Sequence, residues 1–289
     1  MQHLVNVLLN GLSLGMIIAA FALALVLIFR STRIINFAQG SMAMFTTYIA
    51  LEIVTAGYSY WLAFAGALLA GFVLGGVIER VVIRPVVGKP ELNAVIVTLG
   101  LFVAIQALAA IMFGSSFRSF PSPVGLSGFQ VGTFNLALTP TGLLTFGAVL
   151  LVLVGIVALF RFTNLGLTMR AAAFDNEVPR LLGVRVSRLL TFGWALAGLV
   201  GAVSGMLIAT GSLVSPGYME PIIVLGFVAA VIGGLDSPVV GGLLRGVVLS
   251  AVSGYLAPEL VNISALVLLI VVLLLKPSGL FSSAVARRV

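Results

Sequence analysis

Apolar residues fill this chain in long runs, at about residues 4–29, 36–57, 61–79, 93–113, 140–160, 190–211, 219–234, 238–256 and 261–275. A helix needs about 20 such residues to cross a bilayer. The pattern therefore predicts an all-α, polytopic membrane helix bundle of about eight to ten spans, with residues 1–289 forming a single transmembrane domain. Two stretches are interrupted. The 36–57 run opens on Asn36 and Gln39 and contains Gly40, and the 219–256 region is broken by Gly233-Gly234-Leu235-Asp236-Ser237-Pro238 and carries Arg245. Either is a candidate discontinuous or re-entrant helix, a form tolerated in a membrane only when buried in protein or lining a cavity. Small residues spaced by four, as in Gly71/Gly75 and Gly198/Ala202, predict close packing of helices.

The longest interruption that carries charge runs from Arg161 to Leu189, with Arg161, Arg170, Arg180, Arg185 and Arg188 against Asp175 and Glu177. Within it Phe174, Val178, Leu181 and Leu182 fall at i, i+4, i+7 and i+8, on one face of a helix. Asp175 or Asn176 would cap its start, Pro179 would lie in the first turn, and Gly183 would sit just past its end. A helix of about two turns does not persist alone in water. It either lies on the membrane surface or docks on a cytoplasmic partner.

Charge fixes the expected sidedness. The first run is preceded by no positive charge and followed by Arg30 and Arg33, the reverse of a secretory signal's pattern, and the positive-inside rule puts the N-terminus outside. If every run crosses, the 79–91 stretch, the Arg161–Leu189 loop and the Lys276–Arg288 tail all face the cytoplasm, and 114–139 faces out. The sequence is 61% hydrophobic and 8% charged, where a soluble domain carries about a quarter charged residues. Its net charge of +7 comes from these loops, so lipid is the surrounding partner and no nucleic acid is implied. There is no cysteine, and the one histidine, His3, lies near the chain end.

No nucleotide-binding loop is present, since Gly88-Lys89 is followed by Pro90. Neither a metal-ligand spacing nor a nucleophile–base set is visible, so no cofactor is expected in this chain. Acidic residues fall mostly at the ends of runs (Glu52, Glu79, Glu91, Glu220, Glu259), which disfavours an ion-coupled carrier with a buried ionisable group. Mild polar residues, among them Asn10, Thr47, Thr98, Gln106 and Ser204, interrupt the apolar runs and serve as interhelical bonds or as a weakly binding pathway. At Asn36, Phe37, Gln39 and Gly40 several polar or permissive residues coincide, and a translocation-pathway role stands beside simple helix capping.

These residues resemble a family. Ile34-Ile35-Asn36-Phe37-Ala38-Gln39-Gly40-Ser41 is similar to the INFAHG signature of branched-chain amino acid ABC transporter permeases of the LivH type. So are Glu79-Arg80 through Arg84-Pro85 with Thr98-Leu99-Gly100 and Phe113-Gly114, the loop from Met169-Arg170-Ala171 to Leu181-Leu182-Gly183-Val184, and Val214-Ser215-Pro216-Gly217-Tyr218 with Val231-Ile232-Gly233-Gly234-Leu235. The resemblance runs nearly end to end in one order. It implies a subunit of an importer that works with a second related permease, two cytoplasmic ATPases that consume the ATP, and an external solute-binding protein. It further implies inverted internal repeats. The 171–183 segment would be the coupling helix, placing Phe174, Val178, Arg180, Leu181, Leu182 and Gly183 in an ATPase groove. Three positions depart from the pattern: Pro179 in the loop, Asp236 where glycine is usual, and Leu225 where lysine is often found. Relatives of this type carry branched-chain amino acids and also urea, amides and carboxylates. Against this stands a self-sufficient channel or ion-coupled carrier, which would transport without partners. An intramembrane enzyme lacks a catalytic set here.

Overall fold

A computed structural model describes residues 2–125, 128, 130–131, 134–135, 138–174, 185–234, 237–257, 259–276 and 280. The described helices are α1 (Gln2–Thr32), α2 (Gln39–Thr55), α3 (Tyr60–Ile78), α4 (Glu91–Phe113), α5 (Pro140–Phe162), α6 (Asn164–Phe174), α7 (Val186–Ala209), α8 (Glu220–Ile232), α9 (Pro238–Tyr255) and α10 (Leu260–Leu275). Every apolar run of the sequence has become a helix, and the fold is all-α as expected. The starts follow local chemistry. Ser59 accepts a bond from the Leu62 amide at 3.3 Å ahead of α3, and Thr139 accepts one from the Gly142 amide at 2.9 Å ahead of α5. Prolines occupy the first turns of α5, α8 and α9, where the missing N–H costs no intrahelical bond.

Among the described residues, six helices are long and apolar enough to cross a bilayer: α1, α3 with its continuation to Val86, α4, α5, α7 and α9. At 13 residues α8 is about 20 Å long, short of the roughly 30 Å hydrocarbon core. Two small antiparallel ladders were not anticipated: β1 (Arg118–Ser119) pairs with β4 (Leu213–Val214), and β2 (Gln130–Val131) pairs with β3 (Phe134–Asn135).

The helix ends gather into two rims. On one, His3 Nε2 meets the Gly254 carbonyl at 3.1 Å, Arg118 pairs with Glu52, and β1 lies against β4. On the other, Arg84 reaches the Ser187 carbonyl at 3.2 Å, Thr98 Oγ1 donates to the Ile35 carbonyl at 3.3 Å, and the Leu280 amide donates to the Ile232 carbonyl at 2.9 Å. Arg30, Arg33, Arg80, Arg84, Lys89, Arg161, Arg185, Arg188 and Lys276 belong to this second rim; Arg118 lies on the first.

The chain traces one path twice. α1 packs on α9 as α7 packs on α3; α2 rests on α7 as α8 rests on α1; α2 meets α3 and α4 as α8 meets α9 and α10. α1 ends at the basic rim, whereas α7 starts there, so the two sets of four helices are inverted copies. α5 and α6 lie between them in sequence. Glycines make the two strongest crossings. A Cβ at Gly198 would strike the Gly71 carbonyl oxygen, and one at Gly75 would strike that of Trp194; on the other side Gly246 lies against Gly15 and Gly242 against Ala19. The resulting core is centred on α1 and α7, with Phe21, Ile28, Trp194 and Met206 fully enclosed.

The hydrophilic interval expected over Arg161–Leu189 is largely helical where described. α5 runs on to Phe162, α6 occupies Asn164–Phe174, and α7 begins at Val186. Phe174 is the last described residue of α6, so a helix already precedes the segment that the sequence pattern made amphipathic. Thr163 explains the boundary: its Oγ1 accepts from the Gly166 amide at 3.1 Å, capping a new helix after the extended residue. The remaining residues expected to form the short amphipathic helix, Val178, Arg180, Leu181, Leu182 and Gly183, lie outside the described residues.

Candidate functional site

Both copies of the repeat contain a break that leads into a short helix. In the first, residues 34–38 cross without regular structure before α2. Asn36 Oδ1 accepts from the Ala38 amide at 3.0 Å, a local side-chain turn, while its Nδ2 donates to Gln39 Oε1 at 3.2 Å. Gln39 Nε2 then donates to the Ala197 carbonyl of α7 at 2.9 Å. The missing side chain of Gly201 makes this reach possible, because a Cβ there would strike the Gln39 amide. Asn36 and Gln39 are 1% and 0% exposed, with their amides committed inside the chain. Gly40 faces Ile223, whose side chain fills the space a Cβ would need, and Phe37 lies 5.2 Å from Phe227 between ring centres. The four residues expected to line a pathway thus come together, but as a brace that ties α2 to α7 and α8. Gln39→Leu is expected to lower stability by about 1–3 kcal/mol, since it removes the bond across to α7 and leaves the buried Asn36 amide with the weak Met42 Sδ as its acceptor. Its thermal midpoint should fall, while uptake per folded molecule stays unchanged.

The second break, residues 210–219, enters the bundle from the opposite rim. Tyr218 fixes it: its one hydroxyl proton is shared between Thr47 Oγ1 at 2.8 Å and the Gly205 carbonyl at 3.1 Å. α8 then starts deep in the molecule. Its first residue, Glu220, is exposed, and Glu220 Oε1 accepts from Gln106 Nε2 of α4 at 2.9 Å. Gln106 lies four residues past Phe102, the midpoint of α4, or about 6 Å along the axis. The sequence put Glu220 at the end of an apolar run, hence at a membrane surface; the tertiary fold puts it near mid-depth. Insertion scales set a charged side chain at the middle of a spanning helix at about 2.5–3.5 kcal/mol. An acidic group in the first turn of a helix recovers only about 0.3–1 kcal/mol. Helix capping alone does not account for a carboxylate at this depth, so its surroundings in the membrane must be water or protein.

At the basic rim Glu79 is fully buried. Arg84 Nε and Nη2 donate to its two oxygens at 3.2 and 2.8 Å, and Thr191 Oγ1 donates to Oε2 at 2.6 Å. This triad joins the end of α3 to α7, the helix that follows the expected coupling segment.

Comparison with known proteins decides what this architecture is. The family described as branched-chain amino acid transport system permease component fits residues 7–274. The chain belongs to that family. The permease is 28% identical to the high-affinity branched-chain amino acid transport system permease protein LivH of Salmonella typhimurium, over 97% of this chain and 96% of that one. It is 27% identical to BraD of Pseudomonas aeruginosa, with 99% and 98% covered. A probable LivH of Methanocaldococcus jannaschii is 25% identical over 91% and 88%. Among solved structures, PsaBC from Streptococcus pneumoniae in complex with Fab superposes with a TM-score of 0.52 at 15% identity, covering 94% of this chain and 91% of that one; the likeness is one of fold.

Two features of the permease escaped the sequence pattern. Gln106 and Glu220 are 114 positions apart, and nothing in either local sequence signals that they meet. Arg245, noted only as a charge in a run, is fully buried in α9, and its guanidinium has no hydrogen-bond partner among the described residues.

Proposed function

We propose that this permease is a membrane-spanning subunit of an ATP-driven importer for branched-chain or related small amino acids. It works with a second related permease, two cytoplasmic ATPases that hydrolyse the ATP, and an external solute-binding protein. The observation that carries this reading is the family match over nearly the whole chain, with relatives named for branched-chain amino acid transport. The concentration of basic residues on one rim supports an N-terminus outside and a C-terminus in the cytoplasm, by the positive-inside rule.

In this scheme the 171–183 segment, which begins within α6, docks on an ATPase through Phe174, Val178, Arg180, Leu181, Leu182 and Gly183. Nucleotide binding moves the segment, and α5–α6 on one side and α7 on the other carry the motion into the bundle between two arrangements. The Glu79–Arg84–Thr191 triad stiffens α7 against α3 at that rim.

Co-purification of the tagged permease from its host, followed by leucine uptake in proteoliposomes, tests the reading. Uptake is expected only with the ATPases and ATP present. Leu181→Asp should insert normally but place an unpaired charge in the docking groove, at a cost of about 3–5 kcal/mol. ATPase association should be lost with it. Uptake by this chain alone would establish the self-sufficient carrier instead.

A further inference from the structure

We propose that Glu220 and Gln106 form a recognition point for a positively charged nitrogen of the passing solute, facing a water-filled pathway along the open side of α8. The proposal rests on the transport reading above and names the chemistry of its path. Among the described residues, Glu220 is the ionisable side chain that combines mid-bundle depth with exposure. Glu79 and Arg245 are fully buried, and Glu52 and Arg118 pair at a rim.

The geometry leaves this carboxylate available. Its Oε1 accepts one bond from Gln106, and no basic side chain of the described residues pairs with it. A carboxylate offers several acceptor sites and no donor, and the amide oxygen of Gln106 adds another acceptor. Together they match the N–H groups of an ammonium. Gly217 keeps the approach open: a Cβ there would stand 3.0 Å from Glu220 Oε1. Beside the carboxylate, Pro221 and Val224 present an exposed apolar wall, with Val224 52% exposed, suited to an aliphatic side chain on the same solute. The turn of residues 215–219, which leads inward from the rim to Glu220, is of the kind found where protein lines a water-filled cavity.

The chain has no cysteine, so in the complete complex Val224→Cys gives this subunit a single thiol, one turn from Glu220, and labelling is read on this subunit. Reaction with a cationic trimethylammonium-ethyl methanethiosulfonate is compared with that of the anionic sulfonatoethyl reagent. Both should label, the cation about tenfold faster relative to the ratio on free cysteine, as expected for one nearby negative charge acting oppositely on the two reagents. Adding Glu220→Gln should remove the excess. Failure of both reagents to label would show a face sealed by protein or lipid, and labelling without charge preference would show a carboxylate that does not select; either overturns the proposal. If Val224→Cys does not fold, Val103→Cys on the exposed side of α4, three residues from Gln106, serves in its place. Leucine uptake by the unaltered complex in the same preparation separates this failure from failure of the transport reading.

Discussion

Gly198→Leu is expected to yield no folded permease. A Cβ at this position would run into the Gly71 carbonyl oxygen and come within 3.0 Å of its carbon and 3.3 Å of the Gly75 Cα. The obstacles are main-chain atoms of α3, which cannot swing aside as a side-chain tip can. α3 and α7 would have to separate, and that separation would also draw Gly75 away from Trp194, a fully buried side chain at the centre of the core. Overpacking against side chains costs about 1–3 kcal/mol. Against backbone the effect should exceed that range and consume much of the roughly 5–15 kcal/mol that holds a domain together. Gly100→Leu is the control, since nothing stands within 4 Å of a Cβ there and the site is exposed. Size-exclusion profiles in mild detergent should show a sharp peak for Gly100→Leu and aggregate for Gly198→Leu. A sharp peak with a normal melting midpoint for Gly198→Leu would mean that the two helices do not touch as described.

Arg84→Met should destabilise the protein more than Glu79→Leu does, although both break the same ion pair. The reason is the difference in burial: the Glu79 side chain is 0% exposed and that of Arg84 is 37% exposed. Removing Glu79 lets Arg84 turn to water and keep its solvation. Removing Arg84 leaves a carboxylate in the interior with Thr191 as its one remaining partner among the described residues. Breaking a buried pair from that side costs about 3–5 kcal/mol. Unfolding midpoints in detergent should fall in the order unaltered protein, Glu79→Leu, Arg84→Met. Equal losses would indicate that Glu79 reaches water in the membrane. Uptake should fall with Arg84→Met beyond the loss of folded protein, because α7 then loses the Arg84 bonds to Thr191 and to the Ser187 carbonyl beside the proposed coupling segment.

Local chemistry gave the sequence its reliable signals. The breaks before α2 and α9 were visible because polar residues, glycine and proline cluster at Asn36–Gly40 and at Gly233–Pro238. The inverted repeat was faint, since helix order alone carries little of it and the matching pattern of contacts appears only once the helices pack. The pathway reading of Asn36 and Gln39 weighed polar residues in an apolar run without knowing their partners. One of those partners, Ala197, is 158 positions away. The α6 helix was missed because its residues, Asn164 to Phe174, carry weak amphipathic periodicity and were read as part of a charged interval.

The sequence by itself determined the class of the protein, its run of helices, its family and the side on which its basic residues gather. These follow from hydropathy, charge and motif order, which are properties of consecutive residues and survive any arrangement of the helices. Only the tertiary structure decided the depth of each residue and its neighbours. Glu220 stands at the end of an apolar run in either view, but a surface position became a mid-bundle one because the preceding break folds inward and α8 begins there. Gln39 likewise became a brace because glycine at 201, on another helix, leaves the gap it crosses. Depth and partnership are set by contacts between helices distant in sequence, and no window along the chain contains both sides of such a contact.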